Sequence, residues 1–298
     1  MKNQSYNDQN QRSFNHISES DVIEANKNVY NENAKTYDEI VITQDSNKRL
    51  RKVIENVLTI FYHNENISED FLALDACGGT GNVSFIINDM EYDVELVDLS
   101  SVMIDNFKNY CNKKGINIKS YNVEINQYLE NSDKKYDLIV FSSALHHLRY
   151  PDKVLINAAK CLKPGGIILT IADPTINIQK FTFKLLSFID RGINLSIKQP
   201  SELIRRIKKK IFIESNNNQN KKEKVIDDWV AEFHAQDGID DLALKKKLVD
   251  KNLFVLWHKR YTGGYNNLFQ VIYKVFEIDT SFSMIISNQG ELHFDFDI

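Results

Sequence analysis

The chain's densest chemistry lies around a glycine turn and a nearby carboxylate. Leu72-Ala73-Leu74-Asp75-Ala76-Cys77-Gly78-Gly79-Thr80-Gly81-Asn82 passes from an apolar run, through glycines, into a helical pattern. A loop without bulky side chains lets backbone approach a ligand closely. The next apolar run, Val94 to Val97, ends at Asp98. Open parallel sheets bind ligands at the carboxyl ends of their strands, and a carboxylate there can accept both hydroxyls of a ribose. Further on stand His146 and His147. An imidazole titrates near neutral pH and could take a proton from a hydroxyl nucleophile, although either ring could equally shape a pocket wall. Cys77, Cys111 and Cys161 adjoin no motif that would stabilise a thiolate, so packing is their expected role.

These residues need elements to position them, and the sequence supplies a regular alternation. Apolar runs at Phe71–Leu74, Val94–Val97, Ile118–Tyr121, Tyr136–Phe141 and Ile167–Ile171 read as strands. Between them, helical patterns fit 81–90, 101–114, a short stretch near Gln127, and 152–162. Such βαβ alternation implies a mostly parallel sheet covered by helices on both faces. Two more strands, Leu253–Tyr261 and Phe269–Ile278, flank a glycine-containing turn and suggest an antiparallel hairpin. The expected fold is therefore α/β, Rossmann-like and doubly wound, with a mostly parallel seven-stranded sheet, a C-terminal antiparallel hairpin and a helical lid insertion.

The organisation along the chain follows. Residues 1–20, rich in Asn, Gln and Ser, read as a mobile tail. Residues 21–54 read as N-terminal helices and 55–174 as a Rossmann-like ligand-binding core. After Asp173 and Pro174 the rhythm changes, and 175–236 reads as amphipathic helices inserted as a lid. The core ends at 237–279 with a helix and the hairpin, and 280–298 is left as a C-terminal tail.

Together these motifs resemble class I S-adenosylmethionine-dependent methyltransferases of the type 11/25 kind. Asp75 and the glycines are similar to that family's first motif, an acidic residue followed by GxGxG. Cys77 stands where the family usually has its first glycine, and Gly78-Gly79-Thr80-Gly81 resembles the AGGTG form of quinone-type methyltransferases. Tyr136-Asp137 to Leu145-His146-His147-Leu148 resembles its FDxxxxxxxLHHL pattern, and Leu162-Lys163-Pro164-Gly165-Gly166 its L-x-P-G-G turn. The resemblance implies S-adenosyl-L-methionine as cofactor. Its amino-acid end would meet Asp75, Cys77, Gly78, Gly79 and Gly81, and Ser142 would also line the site. Asp98 would bind the ribose, beside Leu99. Met103 would lie beside the adenine, with Asn122 and Val123 reading its edge. In the N-terminal helix, Tyr30 or Tyr37 would close over it. His146 and His147 become the candidate catalytic residues, and no metal is expected.

Composition narrows the partners. The 298 residues are 42% hydrophobic and 26% charged, the profile of a globular protein, and the formal net charge is −4. That charge gives no global attraction to nucleic acid or an anionic membrane. No stretch offers about 20 uninterrupted apolar residues, the start lacks a signal-peptide core, and three cysteines without a CxxC pair suggest neither a disulfide framework nor zinc. The expectation is a cytoplasmic methyltransferase acting on a small-molecule acceptor. Two alternatives stand beside it. One is an RNA or protein methyltransferase docking through the basic run Arg205 to Lys210, which also fits a solvated helix face. The other is a non-catalytic S-adenosylmethionine-binding module. A nicotinamide-dependent dehydrogenase is disfavoured because its GxGxxG fingerprint is absent. Trp229, Phe233 and His234, at helical spacing, fit a pocket lining or core packing equally well.

Overall fold

The computed structural model describes residues 17–41, 44–62, 70–179, 230–231, 233–234, 237–262 and 279–290; the side chains of 33, 35–41, 44–47 and 179 are outside this set. Two helices lead, α1 (Glu19–Val41) and α2 (Gln44–Tyr62). Then strands and helices alternate: β1 (Leu72–Ala76), α3 (Asn82–Asp89), β2 (Asp93–Asp98), α4 (Ser101–Lys114), β3 (Lys119–Asn122), α5 (Ile125–Asn131), β4 (Tyr136–Ser142), α6 (Pro151–Lys160) and β5 (Leu162–Pro174). A 3₁₀ turn at Leu145–His147 separates β4 from α6. Further along come α7 (Asp241–Val249), β6 (Phe254–Tyr261) and β7 (Ser281–Ser287).

The seven strands form one sheet in the order β3-β2-β1-β4-β5-β7-β6. The first five are parallel, while β7 runs antiparallel to both β5 and β6. This is the mostly parallel, doubly wound sheet that the alternation predicts. Strand order reverses between β1 and β4, and the crevice above such a switch point is where open α/β sheets hold ligands.

Period-two alternation splits the core into two layers. Leu74, Ala76, Ile139 and Phe141 pack under α6 and α7 against Leu155, Ala158 and Leu248. Their neighbours Ala73, Leu138 and Val140 face the other way, against Ile54 and Val57 of α2 and Ile86 and Ile87 of α3. Burying β1 and β4 on both faces is what makes them read as continuous apolar runs.

The C-terminal hairpin is built differently from the sequence reading. The described partner of β6 is Ser281–Ser287, inside the stretch expected to be a tail, and the expected strand 269–278 lies outside the described residues. Phe282, Met284, Ile285 and Ile286 are fully buried in β7, and Ser283 and Ser287 are buried with them. Ser287 Oγ donates to the Gly166 carbonyl at 3.2 Å, and Ser283 Oγ accepts from the Ala172 N–H at 3.3 Å. Residues 1–16 of the expected tail 1–20, most of the expected lid 175–236 and the basic run 205–210 lie outside the described residues, while residues 19 and 20 belong to α1.

Candidate active site

The glycine turn after β1 is shaped by what surrounds it. A Cβ on Gly78 would stand 2.7 Å from the Asp75 carboxyl carbon, so the loop closes over that carboxylate only without a side chain. Gly81 has φ 92°, and a Cβ there would meet the Phe107 ring at 2.4 Å. Cys77, at the position where glycine is usual, holds φ 58°, a left-handed conformation that glycine adopts without strain and cysteine does not. Ser143 and Ala172, just past β4 and near the end of β5, also have positive φ, at 53° and 63°. All three line the cavity described next, where strained backbone concentrates around ligand sites.

That cavity, about 1030 Å³, opens over the carboxyl ends of β1, β2 and β4. Asp75, Cys77, Gly78, Gly79, Asp98, Leu99, Met103, Val123, Ser142, Tyr30 and His147 all line it. Gly81, Asn122 and His146, also expected in the site, are not among the described residues that line this cavity. Asn122 spends its amide nitrogen on the carbonyls of Asp98 and Leu99, at 3.1 and 2.8 Å, so it braces the turn after β2. The Val123 N–H is likewise given to the Asp98 carbonyl. The Tyr37 side chain lies outside the described residues.

Two carboxylates anchor the site. Asp75 Oδ2 accepts from the backbone N–H and the hydroxyl of Ser84, at 3.0 and 2.7 Å. Burial outweighs these bonds and pushes its pKa up to about 6. Asp98 accepts the Gly79 N–H on Oδ2 and the Ser100 N–H on Oδ1, both at 2.8 Å, and burial raises its pKa as well. Ser100 caps α4 by accepting from the Met103 N–H, which sets Met103 against the cavity. The Cys77 thiol is pushed up by burial and by surrounding carboxylates, Asp98 first, so it remains a thiol.

The histidines have different stations. His147 hydrogen-bonds the Tyr30 hydroxyl through Nε2 at 2.9 Å and the Ala231 carbonyl through Nδ1 at 3.1 Å. One tautomer satisfies both, with Nδ1–H donating to Ala231 and Nε2 accepting from Tyr30. Burial, followed by the neighbouring His146, lowers its pKa to about 3, which keeps the ring neutral. His146 is buried against Asp173, Nδ1 to Oδ1 at 2.9 Å. His234, whose N–H donates to the His146 carbonyl, has its pKa lowered to about 4 by burial. Phe233 is core: it packs with Ala231 against Val22, Ala25 and Val29 of α1. Trp229 lies outside the described residues.

Several cavity residues escaped the sequence reading. Thr80 lines the glycine turn with a buried hydroxyl that has no hydrogen-bond partner among the described residues. Glu124 caps α5, and Trp257, Lys259 and Tyr261 arrive from β6. Only the antiparallel register aims those three at the cavity, whereas the Gly-Thr-Gly spacing already hinted at Thr80. Among the described residues no group of His, Cys, Asp and Glu could hold a metal ion, and no helix is long and apolar enough to cross a membrane.

Residues 73–166 match the family described as Methyltransferase domain, so this segment is similar to methyltransferase domains. Over 147 residues the chain is 29% identical to a ubiquinone/menaquinone biosynthesis C-methyltransferase of Francisella tularensis, covering 46% of this chain and 59% of that protein. It is 31% identical over 97 residues to the tRNA 5-carboxymethoxyuridine methyltransferase of Escherichia coli, covering 32% of this chain and 37% of that one. The chain thus spans less than two thirds of the length of these curated relatives. Among solved structures, an S-adenosylmethionine-dependent methyltransferase from Clostridium acetobutylicum shares the fold at TM-score 0.50 and 14% identity, covering 88% of this chain and 100% of that one.

Proposed function

We propose that this protein transfers the methyl group of S-adenosylmethionine to a small-molecule acceptor held in the same cavity. The observation that carries the reading is the joined pair of β1 and β2 ends, with the bare glycine turn hydrogen-bonded to Asp98. The residues fit the cofactor: the Gly78 cradle admits no Cβ, and Thr80 offers a buried hydroxyl with no partner among the described residues. Bound there, the cofactor would supply an activated methyl group.

The chain's own residues do the rest. Asp98 retains lone pairs for two ribose hydroxyls, Leu99, Met103 and Val123 offer apolar contact to the base, and ionised Asp75 favours a cation above the turn. Both ring nitrogens of His147 are engaged, by Tyr30 and Ala231, so its proposed part is to hold Tyr30 in place and to line the wall. Positioning alone can supply much of the rate of an in-line displacement. The cavity lies at the upper end of the range of about 300–1,000 Å³ usual for one drug-sized ligand, in keeping with an acceptor beside the cofactor.

The match to the quinone-biosynthesis relative, longer and more extensive than that to the tRNA methyltransferase, supports a small acceptor. The insertion 175–236 is proposed as the cover of the acceptor, since its returning end packs on α1 through Val230, Ala231 and Phe233. The test is turnover: incubation with S-adenosylmethionine and small-molecule extract should yield S-adenosylhomocysteine and a methylated small product. Product formation only on added RNA or protein would overturn the small-acceptor reading.

A further inference from the structure

Near its carboxyl end β5 falls out of step with β7. The register shifts between Thr170 and Asp173, and Ala172, at φ 63°, stands inside the shift. Its N–H leaves the ladder and donates to the Ser283 hydroxyl of β7 at 3.3 Å. Ser283 Oγ lies in turn 3.1 Å from the hydroxyl of Tyr261, the last residue of the neighbouring strand β6. Both β5 and β6 run antiparallel to β7, so Tyr261 ends its strand on the ligand side of the sheet. Ala172, Ser283 and Tyr261 all line the cavity.

Counting protons orders this chain. Each hydroxyl has one to give, and Ser283 is buried whereas Tyr261 is half-buried. If Tyr261 donated to Ser283, the serine oxygen would take two donors, and its own buried proton would have no acceptor among the described residues. With Ser283 as the donor, it and the Ala172 N–H are both satisfied, and the one proton left over belongs to Tyr261. Hydrogen bonds in such a chain polarise one another, which strengthens the final donor. Burial, helped by the Asp173 carboxylate, raises the Tyr261 pKa, so the phenol keeps its proton. Val53 and Ile171, members of one apolar cluster, line the same cavity.

We propose that Tyr261 selects the methyl acceptor by donating to a carbonyl or phenol oxygen of a small molecule whose apolar body rests on Val53 and Ile171. Ser283 is a positioning residue that sets the direction of the tyrosine's proton. A molecule without such an oxygen leaves the donor unpaired, and a site built to hydrogen-bond its substrate rejects analogues lacking the partner group. This rests on the methyltransferase reading and adds the acceptor's chemistry to it.

The test uses full-length protein. S-adenosylhomocysteine is titrated first by calorimetry, and its failure to bind would overturn the methyltransferase reading and this proposal with it. The loaded protein is then titrated with 2-acetylnaphthalene, 2-naphthol and 2-isopropenylnaphthalene, the last a mimic of the ketone's shape without oxygen. Tyr261→Phe should weaken at least one oxygen probe about tenfold and change the hydrocarbon by less than about twofold, with S-adenosylhomocysteine uptake unchanged. The oxygen probe that loses more distinguishes carbonyl from phenol. Ser283→Ala should weaken the same probe about threefold, again sparing the hydrocarbon. The proposal is overturned if neither oxygen probe binds the loaded protein, if Tyr261→Phe weakens no oxygen probe or weakens the hydrocarbon equally, or if Ser283→Ala changes nothing. Loss of S-adenosylhomocysteine uptake in Tyr261→Phe would put the tyrosine in the cofactor's site and overturn it as well.

Discussion

The backbone N–H of Gly79 donates to Oδ2 of Asp98 at 2.8 Å, so the glycine turn after β1 and the carboxylate ending β2 form one unit. A second backbone donor, Ser100, holds Oδ1 at the same distance and fixes the carboxylate's rotation. A ligand contacting the turn therefore meets Asp98 already oriented, which lowers the ordering cost of binding.

Gly81→Ala tests the packing behind that turn. The new methyl would face the Phe107 ring at 2.4 Å on a backbone with φ 92°, so overpacking and strain add. Stability should fall by about 2–4 kcal/mol in denaturant unfolding. Gly290→Ala, with φ 52° and nothing within 4 Å, carries strain alone and should cost about 1 kcal/mol. Equal losses at the two sites would contradict the packing argument.

Asp75 makes stability depend on pH. Its native pKa of about 6 lies above the unfolded value near 4, so the native state holds its proton more tightly. The contribution is present below the unfolded pKa and is lost as pH rises through about 6. Thermal unfolding should show the wild type losing stability relative to Asp75→Asn between pH 4 and about 6. Parallel curves would refute the raised pKa.

His147 acts in the opposite direction. With a native pKa of about 3 against about 6.5 unfolded, its neutral form stabilises the fold at neutral pH. That stability is lost as pH falls from about 6.5 toward 3. In histidine-labelled NMR spectra the His147 ring should stay neutral at pH 5, and a midpoint near 6.5 would show that it is free to act as an ordinary base.

Glu95 and its partners are not among the cavity's described lining residues and provide a control. Its buried carboxylate receives Lys134 Nζ at 2.5 and 2.7 Å and the hydroxyls of Tyr136, Tyr121 and Tyr128 at 3.0, 3.2 and 3.3 Å. Lys134→Met leaves that charge without its cation. The lysine is partly exposed, so the loss should be about 1–3 kcal/mol, below that of a fully buried pair. Cofactor affinity should not change, and a matching loss of affinity would mean that the network reaches the site.

The fold was legible wherever one residue pattern served one structural purpose. Strands β1 and β4 are buried on both faces, and Gly78 to Gly81 allow few other readings. Ser281–Ser287 was not legible, because its alternating serines look exposed until their partners on Gly166 and Ala172 are known. At the site, Asp98 could be placed from its position at a strand end. Asn122 could not, since its amide turns back to the carbonyls of Asp98 and Leu99. Trp257, Lys259 and Tyr261 needed the sheet register, which fixes which face of β6 meets the cavity. His146 needed Asp173, a partner that only the pairing of β4 with β5 brings near.

The most direct measurement is calorimetric titration of S-adenosylmethionine and S-adenosylhomocysteine into the wild type and Asp98→Ala, with circular dichroism confirming that both are folded. Wild type should bind both compounds one to one, and the variant should bind at least about tenfold more weakly, because removing the carboxylate forfeits charged hydrogen bonds. A folded wild type that takes up neither compound, or a variant that binds as well as wild type, would contradict the account.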